Sequence, residues 1–263
     1  MPVYNGGKFL EQSINSVLCQ SYSNLELLIV NDGSTDNTQA IIERFTDDRI
    51  RFFSQKNKGV SAARNLALSH MKGNFFCMLD SDDVFTVNSI ESRMKIFDRS
   101  PAITFVDGPV HVFDSAMRNL ITTWAPSYEG NPFNQLVRLT GKCFFGPTWM
   151  IRFNPSITYL FEERLTHGEE LLFYISISKN GQYSFSRECI LNYRKHGNSA
   201  MSNLIGLGRG YAILGTILAE KYGSQVKMID RLFYQLKSRK IMFLSFVANQ
   251  EYKNAFSYLL SGR

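Results

Sequence analysis

The sequence lacks several features that would have fixed its class at once. No stretch approaches the roughly 20 apolar residues of a bilayer span, and the first residues do not form the charged, apolar and small-residue sections of a secretory signal. Its four cysteines, Cys19, Cys77, Cys143 and Cys189, are scattered without C-x-x-C spacing, so neither a disulfide framework nor a zinc site is expected. Cys19 and Cys77 sit inside apolar patterns, which reads as reduced core thiols in a cytoplasmic protein. A basic block, zinc-finger spacing and an aromatic-basic reader motif are all missing, and nucleic acid is therefore not expected as a partner. The net charge of +6 instead suits nucleotide phosphates or an acidic membrane surface.

What is present is a chain of 263 residues, 44% hydrophobic, able to bury a large core. The first hundred residues alternate between two periods. Leu10, Ile14, Val17 and Leu18 fall at helical spacing, Leu25 to Val30 is strand-like, Gln39 to Phe45 is helical, Ile50 to Phe53 is strand-like and Ser61 to Met71 is helical. Repeated βα units predict an α/β fold with a mostly parallel sheet flanked by helices. Beyond Ile103 the alternation fades. Ile103 to Val106 and Val110 to Phe113 look like a pair of strands, a helix is expected near Glu169 to Ser178, and further strands are expected near Tyr183 to Phe185 and Ile190 to Tyr193. From Leu204 onward the text is helical and rich in Lys and Arg.

The most telling segment is Phe75 to Asp83, an apolar run that ends in Asp80, Ser81, Asp82 and Asp83. Carboxylates gathered where a buried strand leaves the core repel one another unless a cation is shared, which is the layout of a metal-diphosphate site. An acidic cap on the helix from Val87 to Phe97 is the plainer reading, and alone the cluster does not separate the two. Asn31 to Asp36 follows the second strand, where ligands of open α/β sheets bind, although an ordinary Asn-Asp-Gly turn reads the same way. Lys58 and Arg64 place two cations at a helix opening. Glu169 and Glu170 start a helix, where a general base and a simple dipole partner look alike. Tyr193 to Ser199 offers Arg194, Lys195 and His196 on a loop.

Together these motifs, with the opening Pro2-Val3-Tyr4-Asn5, Ser16 to Tyr22 and Glu26, resemble the family-2 glycosyltransferases of GT-A fold. The resemblance is dense from residue 2 to about 110, resumes at Glu169-Glu170 and Tyr193 to Ser199, and leaves 204–263 unmatched. It implies a GT-A, Rossmann-like sheet with a C-terminal helical appendage. The division it implies is a nucleotide-sugar-binding half over 1–107, an acceptor-binding catalytic half over 108–203 and a helical segment over 204–263. The implied activity is inverting hexosyl transfer from a UDP-sugar to the hydroxyl of a glycan or lipid-linked glycan, in surface polysaccharide, capsule or lipopolysaccharide synthesis. Tyr4 would stack on the nucleobase, Asp32 would accept from the uracil N–H, and Lys58, Arg64, Asp80, Ser81, Arg194 and His196 would line the nucleotide-sugar site. Asp82 and His196 would meet Mg²⁺ or Mn²⁺. Glu170 falls where the family carries its base, usually Asp, so the choice between Glu169 and Glu170 stays open.

Family members carry an apolar strand before the Pro-x-Tyr-Asn motif, whereas Met1 lies inside it. The expectation is a truncated reading of a longer product, because loss of a central strand leaves backbone groups unpaired and an apolar face uncovered. The basic C-terminal helices are candidates for peripheral contact with the inner face of the membrane, for a homodimer, or for packing on the catalytic core. Two alternatives from other classes are a haloacid-dehalogenase-like phosphatase with Asp80 as nucleophile and a non-catalytic nucleotide-sugar-binding module.

Overall fold

The computed structural model describes residues 1–197 and 203–261, with side chains through Tyr258. Asn198 and Ser199 lie outside the described residues. The first hundred residues form β1 (Pro2–Val3), α1 (Leu10–Leu18), β2 (Leu27–Asn31), α2 (Thr38–Ile42), β3 (Ile50–Ser54), α3 (Val60–His70), β4 (Phe75–Cys77), β5 (Val84–Phe85) and α4 (Ser89–Phe97). They continue into β6 (Ile103–Asp107), β7 (Val110–Phe113), β8 (Leu120–Trp124), α5 (Phe133–Val137), β9 (Met150–Arg152), α6 (Glu169–Ile177), β10 (Gln182–Phe185) and β11 (Leu191–Arg194). Three helices close the chain: α7 (Leu204–Lys221), α8 (Met228–Ala248) and α9 (Tyr252–Ser261).

Each early element follows from its pattern. In α1 the helical spacing buries Leu10, Ile14 and Val17 on one face. In β2 the run Leu27 to Asn31 is almost wholly buried, as expected of a parallel strand covered on both sides. The sheet β1-β2-β3 is parallel throughout, with Val3 opposite Asn31 and Ile29 opposite Phe52. A second sheet runs β10-β6-β9-β4 and a third β5-β11-β7-β8, each mixing parallel and antiparallel pairs.

Ile103 to Val106 and Val110 to Phe113 are both strands, but β6 and β7 do not pair with each other; they belong to different sheets. Between them, Pro109 has no N–H to give to a ladder. A Cβ on Gly108 would lie 2.6 Å from Ile190 Cγ2, so only glycine lets the chain pass close to β11 as it crosses.

The main core stacks Trp149 on Tyr174, with ring centroids 4.2 Å apart, and Phe161 on Phe173 at 4.1 Å. Leu214, Ile217, Leu218 and Tyr234 join that same core, so α7 and α8 pack directly on the α/β body. Beside the two-residue β1, an apolar cavity of about 560 Å³ lies between β2 and β4, lined by residues that include Leu25, Leu27, Phe75, Cys77 and Leu79. The Met1 amine donates to Leu28 O at 2.7 Å, and burial lowers its pKa to about 5.

Candidate active site

The carboxyl ends of β1, β2 and β4 gather three groups of side chains. At the first, Tyr4 leaves β1 half-exposed. Asp32 N donates to Val3 O, which sets Asp32 beside it at the end of β2. The buried Asp32 carboxylate accepts from Gln55 Nε2 at 2.7 Å, Lys58 N at 2.9 Å and Gly59 N at 2.8 Å. It therefore holds the turn that opens α3, where Gly59 takes φ 89°, a left-handed value that favours glycine. Lys58 contributes its backbone N–H to this arrangement while its side chain is exposed.

The second group centres on Arg64, in the second turn of α3 and 3% exposed. Its Nη2 donates to Asp80 Oδ1 at 2.9 Å, and its Nη1 donates to Glu170 Oε1 at 2.9 Å and Glu169 Oε1 at 3.2 Å. A single guanidinium thus ties the end of β4 to the start of α6. Those two glutamates occupy the first turn of α6, after Gly168 at φ 78°, where the helix N-terminus favours negative charge. Helix α7 presses on this turn from behind: a Cβ on Gly210 would lie 2.4 Å from His167 O.

Three carboxyls around one cation cannot all be charged at low cost. Burial, reinforced by the neighbouring Glu170 charge, pushes Glu169 up to about 8. Burial also acts on Glu170, but the Arg64 charge and the hydrogen bond from Glu169 outweigh it and hold Glu170 below the usual range. Asp80 is raised, by burial first, with Arg64 opposing. At neutral pH Glu169 carries the proton and Glu170 is ionised. Because the folded state binds that proton more tightly than the unfolded chain, the stability it contributes is complete below about pH 4.5 and is lost as pH rises through about 8. Glu169→Gln, which cannot ionise, is expected to gain on wild type in melting temperature as pH goes from about 5 to about 8. A difference that stays constant across that range, followed by circular dichroism, would remove the proton from Glu169.

In the third group, Arg194 at the end of β11 latches the acidic loop. Its N–H donates to Asp83 Oδ1 at 2.8 Å, its Nε to Asp82 O at 2.7 Å, its Nη1 to Ser115 O at 2.8 Å and its Nη2 to Gln12 Oε1 at 2.5 Å. The guanidinium also lies 4.2 Å from the Phe9 ring centroid. The Arg194 side chain is thus committed to the protein, and His196 is the group that faces Asp82, with Nε2 2.8 Å from Oδ2. Ser81 joins the second and third groups, its carbonyl accepting from Ser13 Oγ.

The family model of glycosyl transferase family 2 matches residues 1–160. The chain belongs to glycosyltransferase family 2. An uncharacterized glycosyltransferase of Rickettsia bellii is 34% identical over 68% of this chain and 26% of its own length. The chain spans 26% to 31% of the length of three such Rickettsia relatives. The Escherichia coli protein WfgD, named UDP-Glc:alpha-D-GlcNAc-diphosphoundecaprenol beta-1,3-glucosyltransferase, is 28% identical over 98% of this chain and 94% of its own. The crystal structure of S. aureus TarS 1-349 in complex with UDP-GlcNAc shares the fold, with a TM-score of 0.64 and 17% identity over 99% of this chain and 89% of that one.

Further residues, without a motif of their own, hold this site in place. Gln12 and Phe9 anchor Arg194, and Gln55 shares Asp32. Nothing in their local spacing signals these roles, because every partner but the loop around Asp32 is distant in sequence.

Proposed function

We propose that this family 2 chain transfers a hexosyl group from a UDP-sugar to a hydroxyl of a glycan or lipid-linked glycan acceptor, with inversion, in surface polysaccharide synthesis. The observation that carries the reading is the Arg64 cluster, which holds an ionised Glu170 beside Asp80, the first carboxylate of the Asp-x-Asp loop. Glu170 takes the acceptor proton while the hydroxyl oxygen bonds to the anomeric carbon. The bond from that carbon to the diphosphate breaks from the opposite face, and UDP leaves with the electron pair. Lys58, whose side chain is exposed, is available to offset the departing charge. The WfgD name, a glucosyl transfer from UDP-Glc to a diphosphoundecaprenol-linked sugar, supports this donor and acceptor class.

In this reading Asp82 and His196 are the candidate protein ligands of a divalent cation. Among the described residues no group of three or more His, Cys, Asp or Glu converges. Asp82 and His196 would supply one carboxylate and one imidazole, leaving further positions to diphosphate oxygens, as is usual for Mg²⁺. When bound, such an ion would neutralise charge on the leaving diphosphate. Asp82→Asn preserves shape and removes the balancing charge, so transfer is expected to fall by on the order of 10²-fold, corresponding to about 3 kcal/mol. Full activity of that variant in chelator would rule out the metal role. The reading as a whole is tested by release of UDP across a panel of UDP-sugars, with Mn²⁺ and with chelator. No release from any donor would leave a binding module.

A further inference from the structure

Helix α8 buries one face; on the opposite side α9 partly covers its C-terminal half, where Phe243 and Val247 are partly buried and Phe243 lies 5.9 Å from Phe256, while the stretch 229–240 leaves that side open. Asp230, Tyr234, Ser238, Met242 and Phe246, spaced four apart, form the buried row. At about 100° per residue, the far side carries Ile229, Leu232, Phe233, Leu236 and Leu244, each about half-exposed, with Lys240 among them. Lys237 and Arg239, both exposed, flank this row on its two sides. Phe233 also carries the Arg138 guanidinium, 5.3 Å from its ring centroid. A helix that faces water on its outer side presents polar residues there. An apolar outer row edged with cations is the pattern of a helix lying in the plane of a membrane interface.

We propose that α8 docks the chain on an anionic lipid surface, with Ile229, Leu232, Leu236 and Leu244 at the headgroup boundary and Lys237, Arg239 and Lys240 against lipid phosphates. Charge selects this occupant over a second copy of the chain. Self-pairing would set the three cations against their own equivalents, and the single carboxylate of α8, Asp230, is buried and engaged by Arg138 at 2.6 Å. Among the described residues no helix is long and apolar enough to cross a membrane, so the contact is one of lying on the surface.

This goes beyond the transfer reading, and its test uses neither donor nor acceptor, so either can fail alone. The full chain is sedimented with vesicles of phosphatidylcholine alone or mixed with phosphatidylglycerol, at low and high salt. The expected result is binding to the mixed vesicles only, weakened by salt. It should fall by about 10-fold or more in Leu236→Glu and in the double variant Lys237→Glu with Lys240→Glu. All these positions are exposed, and unchanged melting temperatures would show the variants to be folded. Three results overturn the proposal: no binding, binding equal in wild type and folded variants, or a dimer that Leu236→Glu dissociates while vesicles are ignored.

Discussion

Glu170→Gln is expected to bind UDP-sugar as wild type does and to transfer it about 10²–10⁴-fold more slowly in a single turnover. The amide keeps the side chain's length and can still occupy the space beside Arg64, but it cannot take the acceptor proton. Glu169→Gln should show a much milder defect, because Glu169 already carries a proton at neutral pH and the amide can donate to Glu170 in its place. Rapid-quench transfer rates compared with donor affinity decide the matter. Wild-type transfer by Glu170→Gln would remove the base from that position, and inactivity confined to Glu169→Gln would move it one residue back. The low-lying Glu170 carboxyl also sets the sign of the pH profile. Transfer is lost on the acid side, as Glu170 takes up a proton, and that limb lies below the ordinary glutamate range.

Arg64→Met is expected to be the most destabilising single change in the site. It keeps most of the apolar stem and deletes the cation that Asp80, Glu169 and Glu170 share. Breaking a buried ion pair from one side costs about 3–5 kcal/mol, which for a chain of this size lowers the melting temperature by about 10 °C. The deficit should shrink toward acid pH, where the orphaned carboxyls are protonated. Arg64→Lys should fall between the two, since an ammonium cannot offer the planar fork that reaches three carboxyls. A variant Arg64→Met that melts with wild type across the pH range would mean that the three carboxyls need no counter-charge.

The contrast between what was legible and what was not follows the range of the interactions. The helix α1 could be read because its apolar residues return at helical spacing on one buried face, and β2 because its apolar run is buried almost throughout. The strand β4 could be read from the apolar run that ends at the acidic loop. The two-residue β5, the exposed edge strand β8 and the three-residue β9 are too short or too one-sided to leave a pattern. Within the site, the resemblance to the family marked Asp80, Asp82 and Glu170 as candidates, but not how they associate. Arg64 meets glutamates more than a hundred residues away, and Arg194 spends its fork on Asp82, Ser115 and Gln12, partners that only the folded chain brings together. For the same reason, the separation of β6 from β7 was hidden: it depends on the close approach of Gly108 to Ile190.

The Arg194 latch has a thermodynamic corollary. The backbone that presents Asp82 and Asp83 is fastened to α1, to the turn after β7 and to the end of β11 before any nucleotide arrives. Its configurational freedom is given up when the chain folds and not when the ligand binds. Calorimetric titration of nucleotide should therefore reveal little ordering entropy from this loop, and cutting the Gln12 strut with Gln12→Ala should shift a share of that entropy onto the binding step.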